Sequence, residues 1–157
     1  MLNISVIGGS DVPPEICEIA TRVGKLLAKS GATVFCGGLS GVMECVSKGV
    51  REENGLVIGI LPGNKAEEGN KYLSASLPTG LGYARNFLVA RAGKVVIAID
   101  GSTGTISEAA FALAEGKNVV AIGGLDLTPK KRNEGKFIKV STPEEAVDLA
   151  LKLARES

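Results

Sequence analysis

Glu108 and Arg85 draw attention because glycine-rich turns lead into both. Glu108 follows Asp100-Gly101-Ser102-Thr103-Gly104-Thr105-Ile106-Ser107, and Arg85 follows Gly80-Leu81-Gly82-Tyr83-Ala84. A Gly/Ser/Thr stretch that opens a helix can present a nest of backbone N–H groups to a phosphate. Thr103 and Thr105 would add hydroxyl donors. An arginine beside such a nest suits bidentate oxyanion binding. A carboxylate one turn into the helix could stabilise positive charge developing on a sugar, or position a water. Gly8-Gly9-Ser10 and Gly37-Gly38-Leu39-Ser40-Gly41 offer two more places where backbone can approach an anion closely. Each feature also has a plain structural reading. Thr105-x-x-Glu108 has capping-box spacing, Arg85 could serve a surface ion pair, and the glycine pairs could be tight strand-to-helix turns. Neither GxGxxG nor GxxxxGK[ST] occurs, so a dinucleotide fingerprint or Walker A loop is not supported.

The composition narrows the chemistry. There is no His among 157 residues, which excludes a Ser-His-Asp triad, a Cys-His pair and a His-ligated zinc. Lys and Arg number 18 against 17 Asp and Glu, so no global field attracts nucleic acid. Aromatics are 4% and Trp is absent, which argues against a base-stacking platform for nucleic acid. The basic run Lys130-Lys131-Arg132, between Pro129 and Asn133, reads as a solvated turn. Cys17, Cys36 and Cys45 are odd in number and lack CxxC spacing, so they are expected as reduced thiols in a cytoplasmic protein, with Cys36 buried and inert. No secretory leader and no apolar run near the ~20 residues of a membrane span is visible. No acidic cluster suggests a metal.

The elements that must position these residues follow from periodicity. Short apolar runs at Ile4–Ile7, Thr33–Cys36, Leu56–Leu61, Val95–Ile99, Asn118–Ile122 and Phe137–Val140 read as strands. Val95–Ile99 is apolar throughout, as in a strand buried on both faces. Helical spacing runs from Ile16 to Leu27, with Asp11 as candidate cap, Pro13 and Pro14 in the first turn and Gly31 as stop. Further helices are predicted from a Ser40 cap to about Glu53, over Tyr83–Ala92, over Ser107–Glu115, and after the Thr142-Pro143-Glu144-Glu145 cap. Met43, in step with Val46 and Val50, reads as core. The polar segment Gly63–Gly82, with a short strand near Tyr72–Ser76, is the irregular part, and Tyr72 and Tyr83 flank it as candidate covers for a base. The order implies a single α/β domain over residues 1–157: a three-layer Rossmann-like fold with a mostly parallel sheet. Ligands of such sheets sit beyond the carboxyl ends of the strands, at the switch in strand order.

Gly37-Gly38-x-x-Gly41-x-Met43, the strand Val57–Pro62, Arg85-Asn86 and Gly101-x-x-Gly104-Thr105-x-x-Glu108 together resemble the Lonely Guy (LOG) superfamily, long carried under a lysine decarboxylase label. The likeness runs from about residue 4 to residue 122. In length the chain is most similar to the shorter branch that includes molybdenum cofactor carrier proteins. The resemblance implies a Rossmann-like fold, a homodimer and a phosphorylated, nucleotide-like ligand. It also implies cleavage of the N-glycosidic bond of nucleoside 5′-monophosphates, with Arg85 and Glu108 as catalytic residues. The alternative it implies is a non-catalytic carrier or sensor of a phosphorylated pterin or nucleotide. Gly8, Gly9, Ser10, Gly37, Gly38, Gly41, Asn86, Gly101, Ser102, Thr103, Gly104 and Thr105 are the expected ligand-binding positions. No metal or other cofactor is needed for the chemistry, though a nucleotide or molybdopterin-type ligand would fit. The family motifs read MxxRK and PGGxGTxxE. Here Gly82 stands for the Met, Asn86 for the Lys, Asp100 for the Pro and Ser102 for the second Gly. A true lysine decarboxylase is excluded on chemistry, because no Lys stands out to carry pyridoxal phosphate.

Overall fold

The computed structural model describes residues 2–157. Seven strands form one sheet: β1 (Asn3–Gly8), β2 (Thr33–Cys36), β3 (Leu56–Leu61), β4 (Ala75–Pro78), β5 (Val95–Ile99), β6 (Val119–Ile122) and β7 (Phe137–Lys139). Five helices connect them: α1 (Pro14–Lys29), α2 (Val42–Glu52), α3 (Arg85–Ala92), α4 (Thr103–Ala114) and α5 (Pro143–Glu156). The strand order is β4-β3-β2-β1-β5-β6-β7. Every pairing is parallel, from Ile4↔Val34 and Ile4↔Val95 at the centre to Val120↔Ile138 at one edge. The sheet is therefore wholly parallel, where the sequence led us to expect a mostly parallel one.

Alternation along the central strands builds two cores. Ile4, Val6, Val34, Val95, Ile97 and Ile99 pack against α1, α2 and α5. Ile7, Val96 and Ala98 pack against α3 and α4. This makes three layers, and it explains why β5 has no polar position. One buried polar contact fixes α3 on its face. The Ser5 hydroxyl on β1 donates to the Val89 carbonyl at 2.6 Å and accepts from the Gly93 N–H at 2.9 Å. The second half of α3 and its C-terminal end are thereby tied to β1.

On the other face α1 and α2 lie close enough that side chains would collide. A Cβ placed on Gly24 would come within 2.2 Å of the Val46 carbonyl oxygen, and one on Gly49 within 2.0 Å of that of Thr21. The same approach overturns the reading of the cysteines. Cys17 and Cys45 form a disulfide, with Cα atoms 5.4 Å apart. They are 28 residues apart in sequence, and only the side-by-side packing of α1 and α2 brings them together. Cys36 is the free cysteine, and it is buried as expected. With two of the three paired, the cysteines no longer argue for a reducing compartment. No helix of the structure is long and apolar enough to cross a membrane.

Several helix starts also differ from expectation. The cap residue of α1 is Pro13 rather than Asp11, and that of α2 is Gly41 rather than Ser40; neither helix has a side-chain cap. Helix α4 begins at Thr103, four residues before the predicted Ser107, so Thr105 and Glu108 lie inside it and form no capping box. The short strand is Ala75–Pro78, later than the predicted Tyr72–Ser76. The last helix starts as predicted, with the Thr142 hydroxyl accepting the Glu145 N–H at 3.1 Å. Lys130, Lys131 and Arg132 are exposed in a turn, also as expected.

Candidate functional site

From β1 the chain steps one way through β2, β3 and β4, then returns to the other flank of β1 at β5. The carboxyl ends of β1 and β5 therefore mark the switch point, and the segments after them splay apart. A crevice of about 280 Å³ lies there, lined by Gly8, Gly9, Ser10, Leu39, Met43, Tyr83, Arg85, Asn86, Ser102, Thr103, Gly104, Thr105 and Glu108. A second crevice of about 300 Å³ adjoins it through Gly9, Ser10 and Ser102 and adds Asp11, Val12, Asp100 and Gly101. Together they reach the size of ordinary small-molecule sites.

Arg85 is 8% exposed. Its Nη2 donates to the Gly37 carbonyl at 3.3 Å, its Nη1 donates to Asn86 Oδ1, and its Nε is buried with no partner. A surface ion pair is thus excluded. Burial pushes the guanidinium below its usual value, and Glu108 draws it partly back. Gly37 makes the placement sterically feasible, since a Cβ there would come within 2.8 Å of Arg85 Nη2 and 2.6 Å of Met43 Sδ. Asn86 Nδ2 reaches the Ser107 hydroxyl at 3.4 Å, and that hydroxyl donates to the Gly104 carbonyl at 2.6 Å. Asn86 thus links Arg85 to the opening turn of α4.

The first turn of α4 faces the same space. Ser102 stands at its cap position without a side-chain hydrogen bond. The N–H groups of Thr103, Gly104 and Thr105 have no partner within the helix, as at any α-helical N-terminus, and they sit at its positive end. The turn before it is unusual. Asp100 has φ +52°, in the left-handed region. Proline, fixed near −65°, could not occupy that position. The departure from the family's Pro at this point is therefore a departure in backbone shape. Glu108, one turn into α4, is 7% exposed. Burial pushes its carboxyl up to about 8, with Arg85 opposing the shift. At neutral pH it is mostly protonated, so it can donate a proton but offers little negative charge.

The opposite wall is built from the loops after β1 and β2. The Val42 N–H donates to the Gly9 carbonyl at 2.9 Å, and the Ser40 hydroxyl donates to that of Ser10 at 2.8 Å. Gly41, at φ +66°, lies so close that a Cβ would fall 2.2 Å from the Gly9 oxygen. Ser40, expected as a helix cap, instead joins the two loops.

The crevice brings together Arg85, Glu108, Gly8, Gly9, Ser10, Asn86, Ser102, Thr103, Gly104 and Thr105. Gly101 lines the adjoining lobe. Gly37, Gly38 and Gly41 do not line either lobe. Gly37 accepts from Arg85, Gly41 spaces the loops, and Gly38 packs against β3 with its carbonyl accepting the Asn70 N–H. Sequence reasoning missed Leu39 and left Met43 to the core, where it belongs in part; both also face the crevice. Of the two tyrosines, Tyr83 stands at the crevice, 89% exposed. Tyr72 lies against Lys71, away from it. Among the described residues no group of three or more His, Cys, Asp or Glu side chains could hold a metal ion.

The model of the SLOG cluster4 family matches residues 1–147. The solved structure of TM1055 is 37% identical over 97% of this chain and 99% of its own, with a TM-score of 0.89. The molybdenum cofactor binding protein of the phototrophic bacterium Rippkaea orientalis is 30% identical over 97% and 96%, with a TM-score of 0.86. The molybdenum cofactor carrier protein of Chlamydomonas reinhardtii is 26% identical over 98% of both chains, with a TM-score of 0.81.

Proposed function

The chain belongs to the SLOG cluster4 family, and from that premise we propose that it carries a phosphorylated pterin-type cofactor of the molybdenum cofactor class in the crevice between β1 and β5. The observation that carries this reading is the buried Arg85, which lines the crevice together with the uncapped first turn of α4. A buried guanidinium that forms no salt bridge is costly, and an oxyanion in the crevice would offset its charge. The phosphate then sits between Arg85 and the N–H groups of Thr103, Gly104 and Thr105. The ring system extends along Gly9 and Ser10, and Tyr83 is placed to stack on it. The likeness to cofactor binding and carrier proteins along nearly the whole chain supports the cofactor over a plain nucleotide. Assembly as a homodimer is part of the proposal, on the family resemblance.

Glu108 favours a second reading, hydrolysis of nucleoside 5′-monophosphates. Water would add at C1′ of the ribose as the C–N bond breaks, and the departing base nitrogen would need a proton. A carboxyl that holds its proton to about pH 8 can supply it as a general acid. In that state it would not stabilise an oxocarbenium ion by charge. Asn86, in the place of the family's Lys, removes a cation from this chemistry. Base release from a panel of nucleoside monophosphates, run beside calorimetric binding of the molybdenum cofactor, decides between the two. Binding without release supports the carrier. Release that disappears in Glu108→Gln makes the protein a phosphoribohydrolase.

A further inference from the structure

Cys17 and Cys45 occupy equivalent places, each in the first turn of its helix. The Cys17 N–H donates to the Pro13 carbonyl and the Cys45 N–H to that of Gly41. Upstream of these turns lie the two loops that carry Gly9, Ser10 and Leu39, one wall of the crevice, and Met43 lies within the α2 turn itself. We propose that the Cys17–Cys45 bridge is a redox-operated tie on that wall: a dithiol reductant reaching Cys17 from the surface opens it and loosens the grip on the phosphorylated ligand.

Three features support this. The bridge is within reach of solvent, since Cys17 lines a surface groove of about 680 Å³ together with Glu18, Thr21, Arg22, Lys25 and Lys48. The groove sets Arg22, Lys25 and Lys48 against Glu18, and each sulfur sits at the positive end of a helix, which favours a departing thiolate. The helices, finally, are held together elsewhere. The close contacts of Gly49 with Thr21 and of Gly24 with Val50 lie about a turn or more beyond the bridge along α1 and α2. Opening the bridge therefore frees the crevice end of the helices while leaving the rest packed.

The reaction is a two-electron exchange. A thiolate of the dithiol attacks the Cys17 sulfur, and Cys45 leaves as thiolate and takes up a proton. The second thiol then displaces Cys17, which also gains a proton, and the reductant departs as a disulfide. The effect on binding rests on the ligand site proposed above; the loosening of the wall does not.

The test compares the oxidised chain, the same chain after dithiothreitol, and Cys17→Ser/Cys45→Ser. Hydrogen exchange is followed by peptide, and AMP serves as the phosphorylated probe. Reduction should speed exchange severalfold within residues 9–17 and 37–45, leave 20–28 and 46–52 protected, and raise the AMP Kd severalfold. The double variant should match the reduced chain and ignore dithiothreitol. Unchanged exchange, loosening spread evenly along both helices, or a bridge that dithiothreitol cannot open in the folded protein would overturn the tie. Equal AMP affinity in both redox states would overturn its effect on binding. AMP bound by neither state would overturn the crevice as a site for nucleotide phosphates and with it the claimed effect on AMP, while the exchange data still judged the tie.

Discussion

Under the proposed function Arg85 is the residue on which ligand recognition turns, because its buried guanidinium lines the crevice and forms no salt bridge with a described residue. Replacing it with Ala removes a charge-assisted contact of roughly 1.5–3 kcal/mol. Arg85→Ala should therefore weaken AMP about 10- to 100-fold while leaving adenosine nearly unchanged, as read by calorimetry. Equal loss for both would remove Arg85 from the phosphate subsite. Glu108 makes a separate prediction. The folded protein holds its proton up to about pH 8, whereas the unfolded chain releases it near 4.5. Between those values the native state binds more protons, so stability falls as pH rises, with a slope approaching ~1.4 kcal/mol per pH unit. Thermal melts from pH 5 to 8 should show this fall, and Glu108→Gln should flatten it. Tyr83→Ala should cost a ring-bearing ligand about 1–3 kcal/mol and leave inorganic phosphate binding untouched. That Arg85 and Glu108 share one crevice was legible in the sequence, because a glycine-rich turn ahead of a charged residue is a local pattern. The protonation of Glu108 was not legible, since it follows from burial between elements far apart in the chain. Nor was Leu39, which carries no polar atom to mark it.

At the scale of elements, α1 and α2 are the pair whose fit is most exacting. Gly49→Ala would push a methyl into the Thr21 carbonyl of the facing helix. Such overpacking typically costs 1–3 kcal/mol. A drop of several degrees in melting temperature is expected, and an unchanged melting temperature would show that the helices can slide apart at no cost. The helices themselves were legible from their apolar spacing, and Gly31, Gly93 and Gly116 marked their ends. Their beginnings were harder. The sequence offered Asp11 and Ser40 as caps, yet Pro13 and Gly41 hold those positions. In α4 the apparent Thr105–Glu108 box concealed a helix that had already begun. In each case the crevice-side turn is left without a side-chain cap, which a local rule that assumes every helix is capped cannot foresee. The unused N–H groups at the start of α4 are what the proposed ligand site needs.

At the scale of the molecule, alternating strand and helix patterns were enough to read a three-layer parallel fold, because each crossover in such a sheet has one favoured hand. The disulfide lay beyond that reading. Its two cysteines give no spacing signal and meet only once α1 and α2 have docked. The homodimer expected from the family is open to sedimentation, where the proposal requires a mass of about twice the 16.1 kDa chain. The whole arrangement, with Arg85 from α3, the opening turn of α4 and the loops after β1 and β2 converging beyond the switch point, has one purpose under the proposed function: to hold the phosphate of a pterin-type cofactor. Calorimetric titration of the wild-type chain and of Arg85→Ala with a phosphorylated pterin and with its dephosphorylated form tests this most directly. The expected result is that the wild type prefers the phosphorylated form at least tenfold and that Arg85→Ala loses the preference. Equal affinity of the wild type for the two forms would contradict it.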